Sequence, residues 1–261
     1  MSLIEKITST DADRNELLVF YLGQAGFLLK PRQGTLVAID TYLSDAAERL
    51  FGFKRMIPAV LEPKDLNVDL YLSTHSHIDH LDIEILPAVS QNAKTFFIGS
   101  PDCEEVYKEN GIHRDRYCIL KTGDTHETQN FHVRAVYADH GDLAPDAVGL
   151  LLETGGVKIF HAGDTAFAPE RISESLRSEI DILIAPINGM FGNMNAREAC
   201  QLAEILKPKV LIASHFWMFL EHVGENGCGD PATFLRESQT LSKPMTSLVM
   251  APGEMLRYKK Q

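Results

Sequence analysis

Cysteine is scarce in this sequence, and the cysteines that it has form no Cys-x-x-Cys pair. The four are Cys103, Cys118, Cys200 and Cys228. Four widely spaced cysteines in 261 residues predict reduced thiols of a cytoplasmic protein rather than a disulfide framework. We expect no ligand role for Cys228, which lies in a glycine-rich loop.

Basic charge and long apolar runs are lacking as well. The chain has 25 Lys and Arg against 36 Asp and Glu, and its net charge is −11. Nucleic-acid affinity comes mostly from basic side chains that neutralise phosphates, so we expect no nucleic-acid partner. The longest apolar runs, such as residues 148–152, fall far short of the ~20 residues that a bilayer requires. The polar, acidic N-terminus shows no signal peptide, and we therefore expect a cytoplasmic protein without a membrane partner.

Short apolar runs separated by turn residues indicate the fold class. Residues 17–22, 27–30 and 35–39 have the length and spacing of antiparallel strands joined by hairpins. Further strands are expected at 68–73, 94–99, 117–120, 132–137, 148–153, 157–161, 180–185 and 210–214, with helices at 100–111, 169–178 and 195–206. Because we find no linker and no repeat, we predict one domain over residues 1–261, of the α/β or α+β class.

One polar segment directly after an apolar strand contains several candidate metal ligands. Residues 74–82 read THSHIDHLD, and ligands usually bind where the strands of α/β folds end. His75 and His77 are two residues apart and point the same way from an extended loop. Asp79 and His80 then turn into the next helix and can face a second centre. Three histidines and one aspartate on one loop predict a site for zinc, iron or manganese rather than a helix cap.

Three further polar residues follow apolar strands elsewhere in the chain. His140 follows the strand at 132–137, Asp164 follows that at 157–161, and His215 follows that at 210–214. A carboxylate at the end of a strand more often caps a helix than binds a metal. Any one of these three residues alone would therefore be weak evidence for a metal site. Together with the segment 74–82 they predict a metal centre at one rim of a sheet.

The order of these motifs resembles that of the metallo-β-lactamase superfamily, and the resemblance runs from Leu22 to about Arg257. It implies a four-layer αβ/βα sandwich with two mixed β-sheets inside and helices outside. It also implies two divalent metal ions, with zinc or manganese expected first and iron as an alternative. By similarity, one ion would be bound by His75, His77 and His140, and the other by Asp79, His80 and His215, with Asp164 bridging and Asp40 supporting the site from beneath.

Sequence stretches in and around the metal motifs resemble one branch of that superfamily, the L-ascorbate-6-phosphate lactonase-like hydrolases. The matching stretches are LGQAGFLL at 22–29, IDTYLSD at 39–45, HAGDT at 161–165, and PING at 186–189 with NMN at 193–195. The resemblance implies that a hydroxide formed at the metal ions opens the lactone ester of a sugar-acid phosphate. Asp79 would be both ligand and proton acceptor, and His215 would stabilise the developing negative charge.

Two other functions stay open at this point. A phosphodiesterase could use the same dinuclear site, and a non-catalytic scaffold could bind metal without turnover. His77 stands where diiron flavoproteins carry Glu, which argues against an iron oxidoreductase. We expect a small-molecule partner that can carry a phosphate, and the sequence is compatible with a homo-oligomer.

Several residues near the motifs are expected to support the site or the substrate. His161 is expected to hydrogen-bond to a metal ligand. Asn188, Phe216 and Trp217 are expected to line the substrate pocket. Lys54 and Arg55, in the segment after Asp40, are the best candidates for binding a substrate phosphate. The remaining histidines, His113, His126, His132 and His222, are expected to be ordinary.

Overall fold

Two mixed β-sheets form the centre of the molecule in the computed structural model, which describes residues 1–223, 229–243 and 245–260. Cys228 lies outside the described residues. The first sheet contains β1 (Glu16–Gly23), β2 (Gly26–Pro31), β3 (Val37–Ile39), β4 (Leu70–Ser73), β5 (Phe96–Gly99), β6 (Tyr117–Ile119) and β14 (Met255–Lys259). Their order is β14-β1-β2-β3-β4-β5-β6. The pairs from β14 to β3 are antiparallel, and those from β3 to β6 are parallel.

The second sheet also has seven strands, and it too contains both antiparallel and parallel pairs. It contains β7 (Thr125–Glu127), β8 (His132–Tyr137), β9 (Val148–Thr154), β10 (Val157–His161), β11 (Ile182–Pro186), β12 (Val210–Ser214) and β13 (Thr246–Leu248). Their spatial order follows the chain from β7 to β13. Antiparallel hairpins join β7 to β10, and β10 to β13 are parallel. The carboxyl ends of β8, β10 and β12 therefore point to one edge of this sheet.

The described residues form seven helices, most of which cover the outer faces of the two sheets. They are α1 (Leu3–Ser9), α2 (Ala46–Phe51), α3 (Leu86–Ser90), α4 (Cys103–Glu109), α5 (Pro169–Leu176), α6 (Ala196–Leu206) and α7 (Pro231–Ser238). The 3₁₀ turns lie at Pro63–Asp65, Arg114–Arg116, Gly141–Leu143 and Leu220–His222. In the described parts of the chain, every helix is too short or too polar to cross a bilayer.

Every residue of β1 is buried because the strand has a packed layer on each side. Successive side chains of a strand point to opposite faces of the sheet. Val19 and Tyr21 accordingly join the core shared with the second sheet, whereas Phe20 packs in the core that includes Tyr107 of α4. The layers are thus helix, sheet, sheet and helix, which confirms the predicted sandwich.

Each strand predicted from the sequence is present, with ends that shift by one or two residues. Helix α6 begins after Asn195, whose side chain accepts from the Glu198 N–H in the predicted capping box. Two local predictions were wrong. The helix expected from residue 100 begins only at Cys103, because Ser100 Oγ bonds to Asp102 and residues 101–102 form a turn. His80 closes a turn onto the His77 carbonyl oxygen, and no helix follows until α3.

Candidate metal centre

The loops at the carboxyl ends of five strands meet at one edge of the sandwich. The first sheet contributes Asp40 after β3 and the segment 74–82 after β4, and the second contributes His140, Asp164 and His215 after β8, β10 and β12. Both sheets therefore supply side chains to one place, as expected for strands that end at the same edge.

Backbone and side-chain hydrogen bonds hold the segment 74–82 in place. The N–H groups of His80 and Leu81 donate to the His77 carbonyl oxygen over 2.9 and 2.7 Å. Ser76 donates from its N–H and its hydroxyl to Asp102 Oδ2 over 2.9 and 2.8 Å. These contacts fix the directions in which the histidines of this segment point.

The three histidines expected to share one ion lie together. The donor atoms of His75, His77 and His140 are all within 4.8 Å of one another. His75 Nε2 is 2.9 Å from His77 Nδ1, and His77 Nε2 lies 3.1 Å from the Leu143 carbonyl oxygen. Donation from His77 Nε2 to that carbonyl leaves Nδ1 free to face a cation.

The second expected set also lies together, and Asp164 stands between the two sets. The donor atoms of Asp79, His80 and His215 are within 4.8 Å of one another. Asp164 Oδ1 is 3.3 Å from His80 Nε2, and its Oδ2 is 3.2 Å from His215 Nε2 and 3.7 Å from His140 Nε2. Its carboxylate therefore reaches donors of both sets.

Gly163 allows Asp164 to take this position. Its φ is +64°, a left-handed backbone conformation that glycine adopts without strain. A Cβ atom on Gly163 would lie 2.9 Å from Thr74 Cβ, closer than packed carbon atoms approach. A side chain here would push against Thr74, which carries two hydrogen bonds to Asp40.

The residues fit a metal ion by their own chemistry. Among the described residues, His80 Nε2 and Asp164 Oδ1 are buried and have no hydrogen-bond partner. A buried polar atom without a partner costs about 1–3 kcal/mol, and more when it is charged. A cation would satisfy these atoms, and imidazole with carboxylate is the donor set of zinc and other divalent transition metals. The His/Asp cluster is thus able to hold metal.

Burial and neighbouring charge set the protonation of the cluster. Burial lowers the pKa of His75 and His140 and keeps them neutral, as metal ligands must be. Burial also opposes charge on His215, but Asp164 and Asp79 outweigh it and raise its pKa to about 9. For Asp164, burial is likewise outweighed, here by His215 and His80, and its pKa lies well below the usual range. The carboxylate is therefore ionised at neutral pH.

Asp40 and His161 lie beneath the cluster. Asp40 accepts from the Thr74 N–H and hydroxyl, each over 2.7 Å, and its Oδ2 is 2.8 Å from His80 Nδ1. His161 does not bond to an expected ligand. Its Nε2 is 2.8 Å from the Ala25 carbonyl oxygen, and its Nδ1 accepts from the Gly163 N–H. His161 thus holds the turn that carries Asp164.

Two buried side-chain amides contact the expected ligands. The sequence had predicted no role for either of them. Gln24 Nε2 donates to Asp79 Oδ2 over 2.7 Å and lies 3.0 Å from His215 Nε2. Asn193 Nδ2 donates to Asp164 Oδ2 over 2.7 Å. Both residues lie in the sequence stretches that carry the family resemblance. The sequence of a turn does not indicate which side chain an uncharged amide will contact, so neither contact was predicted.

A cleft opens beside Asp79 and His215. The residues expected to bind substrate, Asn188, Phe216 and Trp217, all line it. The other lining residues are Gln24, Met190, His215, Met218, Phe219 and His222. His222, which was expected to be ordinary, also lines the cleft, because the 3₁₀ turn at Leu220–His222 returns it there.

Lys54 and Arg55 do not line this cleft. Lys54 is exposed, and its N–H donates to Glu221. Arg55 donates to the carbonyl oxygens of Tyr42, Ser44 and Ile57, and its guanidinium lies 4.7 Å from the centre of the Tyr42 ring. The contacts of Arg55 therefore tie its own loop together, and they offer no support for phosphate binding in the cleft.

Comparison with known proteins agrees with this arrangement. The family model of the beta-lactamase superfamily domain matches residues 35–216. A protein named probable L-ascorbate-6-phosphate lactonase, from Salmonella heidelberg, is 24% identical over an alignment of 258 residues. The match covers 82% of this chain and 73% of that protein.

Solved structures show the same fold. Igni18, described as a metallo hydrolase from Ignicoccus hospitalis, matches with a TM-score of 0.71 and 20% identity, over 94% of this chain and 100% of its own. An isothiocyanate hydrolase from Delia radicum gut bacteria matches with a TM-score of 0.74 and 19% identity, over 93% of this chain and 99% of its own.

Proposed function

The chain belongs to the beta-lactamase superfamily and is a metal-dependent hydrolase, and from this premise we propose that it opens a lactone ester at a two-metal centre. The observation that carries the proposal is the place of Asp164, whose two carboxylate oxygens face both sets of histidines. A carboxylate between two donor sets is suited to bridge a pair of ions. The name of the Salmonella relative supports a lactone as the substrate.

In this proposal His75, His77 and His140 hold one ion and Asp79, His80 and His215 the other, with Asp164 shared. When bound, such ions acidify a water molecule and polarise the substrate carbonyl. Elemental analysis of the purified protein distinguishes zinc, manganese and iron.

Asp79 is the proton acceptor in this proposal. Burial raises the pKa of Asp79, but in the metal-free protein the positive charges of His80 and His215 outweigh burial and hold the pKa well below the usual range. A cation held by these imidazoles in their neutral form would supply charge of the same sign. Asp79 is therefore a carboxylate at neutral pH. Its side chain is 16% exposed and lies next to the cleft, so a substrate can reach it. Gln24 donates a hydrogen bond to Asp79 Oδ2 and so holds this oxygen in place.

His215 is the second catalytic side chain in this proposal. Its Nε2 lies 3.5 Å from Asp79 Oδ2, and the residue lines the cleft. Its N–H donates to the Gln24 carbonyl oxygen over 2.8 Å, which fixes its backbone in a left-handed conformation with φ of 57°. From this position the imidazole can stabilise negative charge that develops on the substrate oxygen.

The test is a substrate panel with metal added back. Metal-depleted protein should be inactive, and added zinc or manganese should restore opening of γ- and δ-lactones. Bis(p-nitrophenyl) phosphate in the same panel tests the phosphodiesterase alternative. Hydrolysis of the phosphodiester without any lactone would replace our proposal, and two bound ions with no hydrolysis of either would favour a scaffold.

A further inference from the structure

We propose that a second cavity, at the edge of the second sheet opposite to the metal centre, binds a sugar or polyol that carries two phosphate groups. Residues 176–181 and 204–209 line much of this far-edge cavity, which lies at the amino ends of β10, β11 and β12. The carboxyl ends of β10 and β12 lead instead to Asp164 and His215. The far-edge cavity is therefore separate from the cleft, and this inference goes beyond the proposed hydrolysis.

Backbone hydrogen bonds hold the loops around the far-edge cavity in place. The Asp181 N–H donates to the Lys158 carbonyl oxygen, and the Lys209 N–H donates to the Asp181 carbonyl oxygen, each over 2.8 Å. The Thr246 N–H donates in turn to the Lys209 carbonyl oxygen over 3.2 Å. These bonds bring the starts of four neighbouring strands, β10 to β13, side by side. The sheet thus fixes where the loops that line the cavity begin and end.

The far-edge cavity is large enough for a small metabolite. Its volume is about 930 Å³, and small-molecule sites commonly measure about 300–1,000 Å³. Leu176, Ile180 and Pro208 are buried residues of its wall, so the packed core supports one side of it. No aromatic side chain occurs among its described lining residues. The wall therefore suits the aliphatic body of a sugar better than a nucleobase, which binds by stacking.

Basic side chains are concentrated at this cavity although the chain is acidic overall. Six of the 25 Lys and Arg residues line it, against three of the 36 Asp and Glu residues. The cavity is therefore positively charged in a chain whose net charge is −11. The six basic residues are Lys158, Arg177, Lys207, Lys209, Lys243 and Lys260.

Four of these cations are available to a ligand. Lys207, Lys209 and Lys243 are exposed, and their ammonium groups form no hydrogen bond or ion pair with any residue in the described ranges. Arg177 donates from Nε to the Glu174 carbonyl oxygen over 3.2 Å. Its two terminal nitrogens have no partner among the same residues. Available cations of this kind are the groups with which proteins usually bind phosphate.

The three carboxylates of the cavity do not cancel this positive charge. Asp181 is buried, and its Oδ2 accepts from the Lys158 N–H and from Lys260 Nζ, each over 2.8 Å. The Asp181–Lys260 pair is therefore balanced within the protein. Glu179 and Glu204 remain beside the four available cations, so the excess charge is positive. Their oxygens can accept hydrogen bonds from the hydroxyl groups of a sugar.

Two of the available cations lie on strained backbone. Arg177 and Lys207 cap the C-termini of α5 and α6 with φ values of 48° and 55°. Glycine or asparagine usually takes this left-handed position, because a larger side chain is strained there. A cation near a helix C-terminus is favoured by the helix dipole. The dipole does not account for Lys209 and Lys243, which lie beyond the helices, whereas a bound anion accounts for all four.

The number of available cations sets the charge of the ligand. A phosphate monoester carries about −1.5 to −2 charges at neutral pH. Two phosphate groups therefore balance about four cations, whereas one group leaves half of them without a partner. A bisphosphate should accordingly bind more tightly than a monophosphate of the same sugar.

Calorimetric titration of the metal-loaded protein tests this order. We expect fructose 1,6-bisphosphate to bind more tightly than fructose 6-phosphate, and fructose to release no heat of binding. Added salt should weaken the binding, because the lysines are exposed. Lys207→Gln with Lys209→Gln should weaken it about tenfold. Lys64→Gln with Lys94→Gln is the matched control, since both lysines are exposed and lie outside the cavity. The control should bind like the parent.

Tryptophan fluorescence separates the far-edge cavity from the cleft, where metal ions could also attract a phosphate. Trp217 is the only tryptophan of the chain, and it lines the cleft. Binding at the far edge should leave its emission unchanged. A change in emission that follows the binding curve would place the bisphosphate in the cleft and overturn the inference.

The remaining outcomes are equally decisive. Absence of bisphosphate binding, or equal affinity in the parent and in the variant that lacks Lys207 and Lys209, would overturn the far-edge site. Equal affinity for the monophosphate and the bisphosphate would overturn the ligand class. Neither measurement involves lactone opening, so failure of the proposed reaction would leave this inference standing, and failure of this inference would leave the reaction standing.

Discussion

The Oδ2 atom of Asp40 lies 2.8 Å from the Nδ1 atom of His80, and both side chains are fully buried. This contact directs the Nδ1 proton of His80 to the carboxylate and leaves Nε2 facing Asp164. A carboxylate behind a histidine is the usual support of a metal ligand, because it fixes the tautomer and the orientation of the ring.

Asp40→Asn should weaken metal binding while the fold survives. The amide keeps the size of the side chain but loses the charge that orients His80, and such changes typically cost about 10- to 100-fold in affinity. Competition with a coloured chelator measures the effect. Asp181→Asn is the matched control, since Asp181 is a buried aspartate that bonds to Lys260 instead. Equal affinity in the two variants would show that Asp40 does not support the metal.

Gln24→Asn should show whether Gln24 positions Asp79 or binds the substrate. Asparagine tolerates the left-handed backbone of residue 24, where φ is 55°, but its amide is one carbon too short for Asp79. A hydrogen bond to a charged group contributes about 1.5–3 kcal/mol, so kcat should fall about 10- to 100-fold. Steady-state kinetics should show KM nearly unchanged. A change confined to KM would assign Gln24 to substrate binding only.

Asp79→Asn should abolish most of the turnover and keep the fold. The swap is nearly isosteric and removes the charged proton acceptor, whose assistance is worth about 10²–10⁴-fold. Initial rates in excess metal, with circular dichroism for the fold, test this. Asp142→Asn removes an exposed carboxylate just after His140 and controls for a general charge effect. Full turnover in Asp79→Asn would rule out its role as acceptor.

Removal of metal should destabilise the protein. The buried atoms His80 Nε2 and Asp164 Oδ1 lose their proposed partner, and an ion present at 100 times its Kd contributes about 2.7 kcal/mol. For a chain of this size the melting temperature should fall by roughly 5–10 °C with a chelator and return when metal is added. Calorimetry that shows no change after verified metal loss would contradict a structural contribution from the ion.

The sequence predicted the strands well, because each lies in a strong local pattern, and the seven side chains expected to be ligands lie together as the strand ends suggested. Apolar runs end at His140, Asp164 and His215, and chain direction alone brings such ends to one edge. The edge strands β7, β13 and β14 and the short helices α1, α2, α3 and α7 were missed. These elements are short or partly exposed, so their apolar patterns are weak, and tertiary packing decides whether they form.

The residues around the ligands were harder to predict. Gln24 and Asn193 lie 55 and 29 residues from the carboxylates that they contact. The order of the strands within each sheet brings them there, because Gln24 follows β1 and Asp79 follows β4 of the first sheet, whereas Asp164 and Asn193 follow the neighbouring strands β10 and β11 of the second. Neither amide carries a charge that marks a site. His222 was missed for a similar reason, because its place in the cleft depends on a 3₁₀ turn after Phe219.

In the proposed reaction, hydrolysis requires a two-metal centre built from these seven residues. Zinc or manganese should be added back to metal-depleted protein while lactone opening and the metal content from native mass spectrometry are followed together. We predict that the rate rises with metal and saturates at about two ions per chain. Full activity in protein that holds no metal, or two bound ions with no hydrolysis of any lactone, ester or phosphodiester, would contradict it.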